Sequence, residues 1–220
     1  MNRDWSELSP ILLQSIRETL YMVSITIGIG GFFGLVFGVL LYATRKGNLL
    51  ENAAVFTVLN IAVNIVRPIP FIIFITAVGP LTLATIGTTI GNDAVIFAMS
   101  IMASFVTARI VEQNLVATDP GVIEAARAMG ASRLRIILTV LIPEALAPLI
   151  LGYTFLLIGI IDMSALAGYV GGGGLGNFAI VYGYQRFNWE VTLVTVLVII
   201  GIVQLAQVIG NRLARKALHR

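Results

Sequence analysis

The chain has 220 residues, 58% of them hydrophobic and only 11% charged, with 14 Lys and Arg against 11 Asp and Glu. A soluble globular domain carries about a quarter charged residues, so this composition and a mean hydropathy of +0.96 exclude an ordinary soluble fold. The chain has no cysteine, which excludes disulfides and thiol chemistry.

The N-terminal stretch MNRDWSELSP is polar and carries both signs of charge. The apolar run behind it is too long for the core of a cleavable signal peptide, so a retained external tail is expected. A bilayer span needs about 20 apolar residues. Residues 19–44 contain no charge and make the first span. Residues 53–92 contain only Arg67 and read as one span followed by an external turn around Gly79-Pro80 and residues 87–91. Residues 94–108, 145–170 and 191–211 complete five spans. The expectation is an all-α polytopic membrane protein forming one transmembrane domain over residues 1–220, because five spans leave no room for a second large domain.

Orientation follows from the distribution of Lys and Arg. With the N-terminus outside, the inner loops and ends hold Arg45, Lys46, Arg109, Arg127, Arg133, Arg135, Arg212, Arg215, Lys216 and Arg220. The outside then holds only Arg3, Arg17 and Arg186, and Arg67 sits within a span. The bias places the C-terminal tail NRLARKALHR in the cytoplasm, where headgroup contact accounts for its charge. Topology thus explains the basic residues, and no nucleic-acid partner is implied. The single histidine, His219, reads as a solvated tail residue.

The longest inner loop, about residues 112–144, has the pattern of two short helices. Asp119 suits an N-cap and Pro120 a first helical position. The first helix is expected over 120–129, ended by Gly130 in a left-handed conformation. Ser132 suits the cap of a second helix running toward Pro143. At helical spacing, Val122, Ala125, Ala126 and Met129 share a small apolar face, flanked by Glu124 and Arg127. Leu134, Ile137, Leu138 and Leu141 share a larger one. The pair is either an amphipathic hairpin lying on the membrane or a rigid docking element whose small side chains let another protein approach closely.

The stretch EAARAMGASRLRIILTVLIP, residues 124–143, resembles the EAA motif of ABC importer permeases. Glu124, Ala125 and Ala126 are followed by Gly130 and Pro143 at the motif's spacing, with Val140 and Ile142 as conservative departures. The stretches ETLYMVSITIGIGGFFGLVFGVLLYATR, NIVRPIPFIIF, ARIVEQNL, GYVGGGGLGNFAI and YGYQRF are similar to those of the methionine-uptake permeases, and with the loop the resemblance extends from the first span to beyond the fourth. The resemblance implies a type I importer permease of the bacterial inner membrane, working as a homodimer with two ATPase subunits and an external substrate-binding lipoprotein. It implies that Glu124, Ala125, Ala126, Met129, Gly130 and Pro143 serve ATPase coupling. ATP and Mg²⁺ would belong to the partner, with no cofactor in this chain and no enzymatic activity of its own. Methionine or a related amino acid is the implied substrate. A different amino acid, cationic ones included, and a non-transporting membrane scaffold are the rival readings.

Three features bear on a pathway or gate. Charge at membrane depth is costly and usually faces a cavity or a partner. Arg67 precedes Pro68 and Pro70, which interrupt the helix. It either pairs with freed carbonyls and headgroups or meets a substrate carboxylate. Asp162, beside Met163, lies beyond the middle of the fourth span, where the methionine-permease pattern has a small or uncharged residue. It meets a substrate ammonium, pairs with Arg67 or reaches external water. The run Gly171 to Gly176 lacks the Gly-Lys-Ser/Thr ending of a phosphate loop. It reads as a flexible or tightly turning external connection, or as a gate or contact for the binding protein.

Overall fold

The computed structural model describes residues 5–218 and contains helices but no strand among them. The first helix, α1, spans Trp5–Thr44. At about 1.5 Å per residue its 40 residues reach about 60 Å, twice the hydrocarbon thickness of a bilayer. From Trp5 onward the expected tail is therefore helix. Its apolar residues Leu8, Ile11 and Leu12 pack against Phe178 and Val191, and Trp5 Nε1 donates to Glu190 at 2.8 Å. The terminal residues 1–4 and 219–220, His219 among them, lie outside the described residues.

The second span is broken. Helix α2, Ala53–Val66, and helix α3, Phe71–Ala77, meet at 115° across the Arg67–Pro70 break. Prolines 68 and 70 supply no amide donors, which ends α2 there. Helix α4, Gly79–Ile86, follows directly. Gly79-Pro80 therefore begins a helix instead of making a turn, because a proline fits the first helical positions. The turn falls later, with Gly87 and Gly91 both at positive φ.

Helix α5, Asn92–Val116, runs past the expected boundary at Ala108. Arg109 and Glu112 do not end it, since they face inward and pair with each other. After it come α6 (Pro120–Ala128), α7 (Arg133–Ile136), a π turn (Ile137–Leu141) and α8 (Ile142–Glu144). Helix α9 covers Leu146–Ala165, and a 3-10 turn over Ala167–Val170 leads into the glycine run. A short α10, Leu175–Phe178, and further irregular turns lead to α11, Trp189–Leu218. Four helices (α1, α5, α9 and α11) are each long and apolar enough to cross a bilayer, and the bent α2–α3 pair makes a fifth crossing if counted as one.

The α1–α5 pair has the most extensive contact in the bundle. Gly30, Gly34 and Gly38 repeat every fourth residue and so share one face of α1. A Cβ on Gly30 would sit 2.7 Å from Ala103 Cβ, and one on Gly38 2.5 Å from Val111 Cβ. Small residues in this register let membrane helices approach backbone to backbone. Tyr153 of α9 adds a hydrogen bond to the Gly31 carbonyl at 2.7 Å. Around this seam Met22, Phe74, Met99 and Ile160 form the central core. A second cluster joins the end of α1 to the loop after α5.

Candidate functional site

The loop after α5 is built on Asp119 and Gly130. The Asp119 carboxylate accepts the Gly121 amide at 2.8 Å, and Pro120 takes the first helical position. Gly130 has φ of +78°. Its amide donates to Arg127 O at 2.9 Å, and the Ala131 amide reaches back to Ala126 O at 3.2 Å. These are the two bonds of a Schellman cap, which reverses the chain at a left-handed residue. Met129 precedes it as the C-cap.

The inner face of α6 differs from the expected one. Ile123 and Ala126 are buried, against a cluster that includes Val111, Leu115 and Ile136. Glu124, Ala125 and Met129 face outward, Met129 being 81% exposed. The expected apolar face is thus split, with its small residues divided between core and surface. Ser132 stands at the N-cap position of α7, but its hydroxyl makes no capping bond. The second expected stripe is also redistributed: Ile136, Ile137 and Leu141 are buried while Leu134 and Leu138 are exposed. The π turn over Ile137–Leu141 widens the helix and takes the residues within and after it out of 3.6-residue phase, whereas Leu134 precedes it and faces outward from α7 while its neighbour Ile136 is buried. Pro143 lies just beyond, where a wider turn relieves the clash between its ring and the carbonyl four residues back.

The pathway candidates do not converge on one another. Arg67 caps α2 through its backbone, its amide bonding Val63 O at 3.2 Å, and its side chain is exposed. Asp162 is exposed one turn before the end of α9. Among the described residues no ion pair joins the two, so of the three readings of Asp162 the pairing with Arg67 across helices is not seen. Met163 is partly buried and packs on the central core, as do Val66 and Ile69 on either side of the α2–α3 break. An apolar groove of about 760 Å³ runs between α1, α9 and α11, lined by Val23, Tyr153, Leu157 and Ile161 among others. None of Arg67, Asp162 and Met163 lines it.

The glycine run is a close-packed turn and not a flexible connection. Its amides are bonded in sequence to side chains of other helices: Gly173 to Asn92 Oδ1 at 2.7 Å, Gly174 to Glu18 Oε2 at 2.7 Å, and Leu175 to Thr19 Oγ1 at 2.9 Å. Gly174 has φ of +95°, and a Cβ there would meet Thr19 Oγ1 at 2.9 Å and Met22 Cε at 3.0 Å.

Residues 19–219 match the family described as binding-protein-dependent transport system inner membrane component. The chain belongs to this family. It is a permease subunit of an ABC importer, a transport component and not an enzyme. It is 42% identical over 212 residues to the probable D-methionine transport system permease protein MetI of Vibrio cholerae, spanning 96% of this chain and 94% of that one. It is 44% identical over 200 residues to the methionine import system permease protein MetP of Bacillus subtilis, spanning 91% and 90%. It superposes on a chain of the inward-facing MetNI methionine ABC transporter with a TM-score of 0.91 at 39% identity, covering 94% and 96%.

The permease also holds a polar cluster that periodicity does not reveal. Glu112 of α5 carries a carboxyl group and is only 3% exposed. It is paired with Arg109 one turn earlier and lies 3.8 Å from Arg45 at the end of α1. Arg109 Nη2 in turn donates to Asn60 Oδ1 at 2.8 Å and Asn64 Oδ1 at 2.7 Å on α2. A buried charge survives only when paired and hydrogen-bonded. The signal in the sequence was Glu112 itself, placed three residues after Arg109 at the end of the apolar run 94–108.

Proposed function

We propose that this permease imports methionine, or a close relative of it, by coupling to an ATPase through the α6 docking element. The observation that carries the coupling half is the rigid Gly130 turn, which leaves Glu124, Ala125 and Met129 projecting from a helix whose other side is fixed to α5. The substrate half is supported by the 42% and 44% identities to methionine permeases over nearly the whole chain. A second copy of this chain, two ATPase subunits and an external binding lipoprotein complete the assembly, with ATP and Mg²⁺ held by the ATPases. Five crossings are few for enclosing a pathway, and a symmetric pair is the common way to close one. The excess of Lys and Arg on one side supports an N-terminus outside and a C-terminus in the cytoplasm.

A second substrate reading has its own observation. Asp162 is an exposed carboxylate with no ion pair among the described residues, on a helix with no other charged residue. Such a group fits an amino acid with a second cationic site, or the α-ammonium of methionine itself. The test is ATPase stimulation of the reconstituted complex by loaded binding protein, screened across amino acids. Stimulation by methionine alone supports the first reading, stimulation by lysine or arginine the second, and stimulation by none of them contradicts both.

A further inference from the structure

The Arg109 cluster lies between the docking element and the broken span. Toward the docking side, Glu112 sits between Val111 and Leu115, which are fully buried in the cluster that also holds Ile123 and Ala126 of α6. Toward the other side, Arg109 reaches Asn60 and Asn64, one turn apart on α2. Asn64 Nδ2 also donates to Asn60 Oδ1 at 3.3 Å, fixing the pair as one double acceptor. Apolar packing holds α2 independently of this pair: Val63 is buried against Leu41 and Ala108, Phe56 and Leu59 pack on the same cluster, and Val66 packs on the central core. Beyond Asn64 the chain runs directly into the 115° break.

From this geometry we propose that Arg109 is a positioning residue that clamps α2 to α5, so that displacement of the docking helix is carried to the broken span. This rests on the reading of α6 as the ATPase docking element. The guanidinium suits the role because its planar fork bonds Glu112 through one terminal nitrogen and both asparagines through the other. The buried Glu112 keeps the fork in place and is itself satisfied by it. Helices α2 and α5 then move as one body during transport, and the bend at 67–70 takes up the motion.

Asn60→Ala with Asn64→Ala removes both acceptors and leaves the Arg109–Glu112 pair intact, so folding and assembly are expected to persist. The complex would be reconstituted in proteoliposomes, and labelled methionine taken up per ATP hydrolysed compared with wild type. We expect the ratio to fall by about fivefold or more, the lower end of ordinary coupling between sites, with melting temperature near wild type. Asn60→Ala with Asn64→Asp returns one acceptor and should recover most of the ratio. Spin labels at Val58 on α2 and Val116 on α5, both exposed, give a second readout that needs no transport. Their distance should stay constant between resting and ATP-trapped states in wild type and change in the double-alanine variant. An unchanged uptake ratio, or wild-type distances in both states of that variant, overturns the clamp. Absence of methionine uptake by the wild-type complex would instead overturn the substrate assignment, and the distances would still decide the clamp.

Discussion

The Glu18 carboxylate of α1 accepts the Gly174 amide at 2.7 Å, joining positions 156 residues apart at the end of the bundle opposite the docking element. The bond ties the first span to the connection between the last two. Glu18→Ala would leave that amide unpaired, and hydrogen bonds to charged groups are worth about 1.5–3 kcal/mol. Gly174→Ala would force a Cβ into a left-handed backbone and against Thr19 and Met22. Both variants should melt below wild type in detergent, with Gly174→Ala the worse. Equal melting temperatures for all three proteins would show the turn to be loosely held.

The α1–α5 seam predicts a ranking among glycines of one helix. Gly34 faces Thr107 directly, with no space for a methyl group, whereas Gly28 has nothing within 4 Å of a built Cβ. Gly34→Ala should lower expression and melting temperature, since overpacking costs about 1–3 kcal/mol. Gly28→Ala should be neutral or stabilising. Comparable losses at both sites would mean that α1 is sensitive to helix propensity and not to packing.

At Gly130 the backbone, and not crowding, sets the requirement. Its φ is +78° and a Cβ would meet nothing within 4 Å. A left-handed conformation costs an ordinary L-residue about 1–2 kcal/mol, and asparagine less. Gly130→Val should therefore insert normally but lose most ATPase co-purification, while Gly130→Asn should keep most of it. If both variants bind the ATPase like wild type, the turn does not shape the docking surface.

The sequence already showed this part of the site because its signals are local. Asp119 acts through a carboxylate that accepts an amide two residues on, Pro120 and Gly130 act through their own backbone, and all three stand at the ends of α6 where their chemistry puts them. Crossings were legible where apolar runs were long, as in residues 19–44. Failures occurred where non-local partners decide. Trp5 to Pro10 looked like a polar tail because the partners that order it, Phe178, Glu190 and Val191, lie far along the chain. The boundary at Ala108 fell at the first charge because the Arg109–Glu112 pairing was not visible. The stripe that ran through Leu138 and Leu141 assumed a uniform helical period that the π turn over Ile137–Leu141 breaks.

Asp162 and Arg67 form no ion pair, which separates two roles for the carboxylate. If Asp162 meets a substrate ammonium, Asp162→Asn should leave melting temperature and ATPase binding unchanged. Substrate affinity of the complex should weaken by about tenfold to a hundredfold, the equivalent of one charged hydrogen bond. Isothermal titration without the binding protein measures this directly. Unchanged affinity would place Asp162 in water outside the pathway.

The central claim is that this chain carries methionine across the membrane when its α6 element engages an ATPase. The most direct measurement is uptake of labelled methionine into proteoliposomes holding the full complex, with loaded binding protein outside and ATP inside. The wild-type complex should accumulate methionine only with ATP, and the same complex carrying Gly130→Val should accumulate little. Equal accumulation by the two complexes, or none by wild type while another amino acid is taken up, would contradict the account.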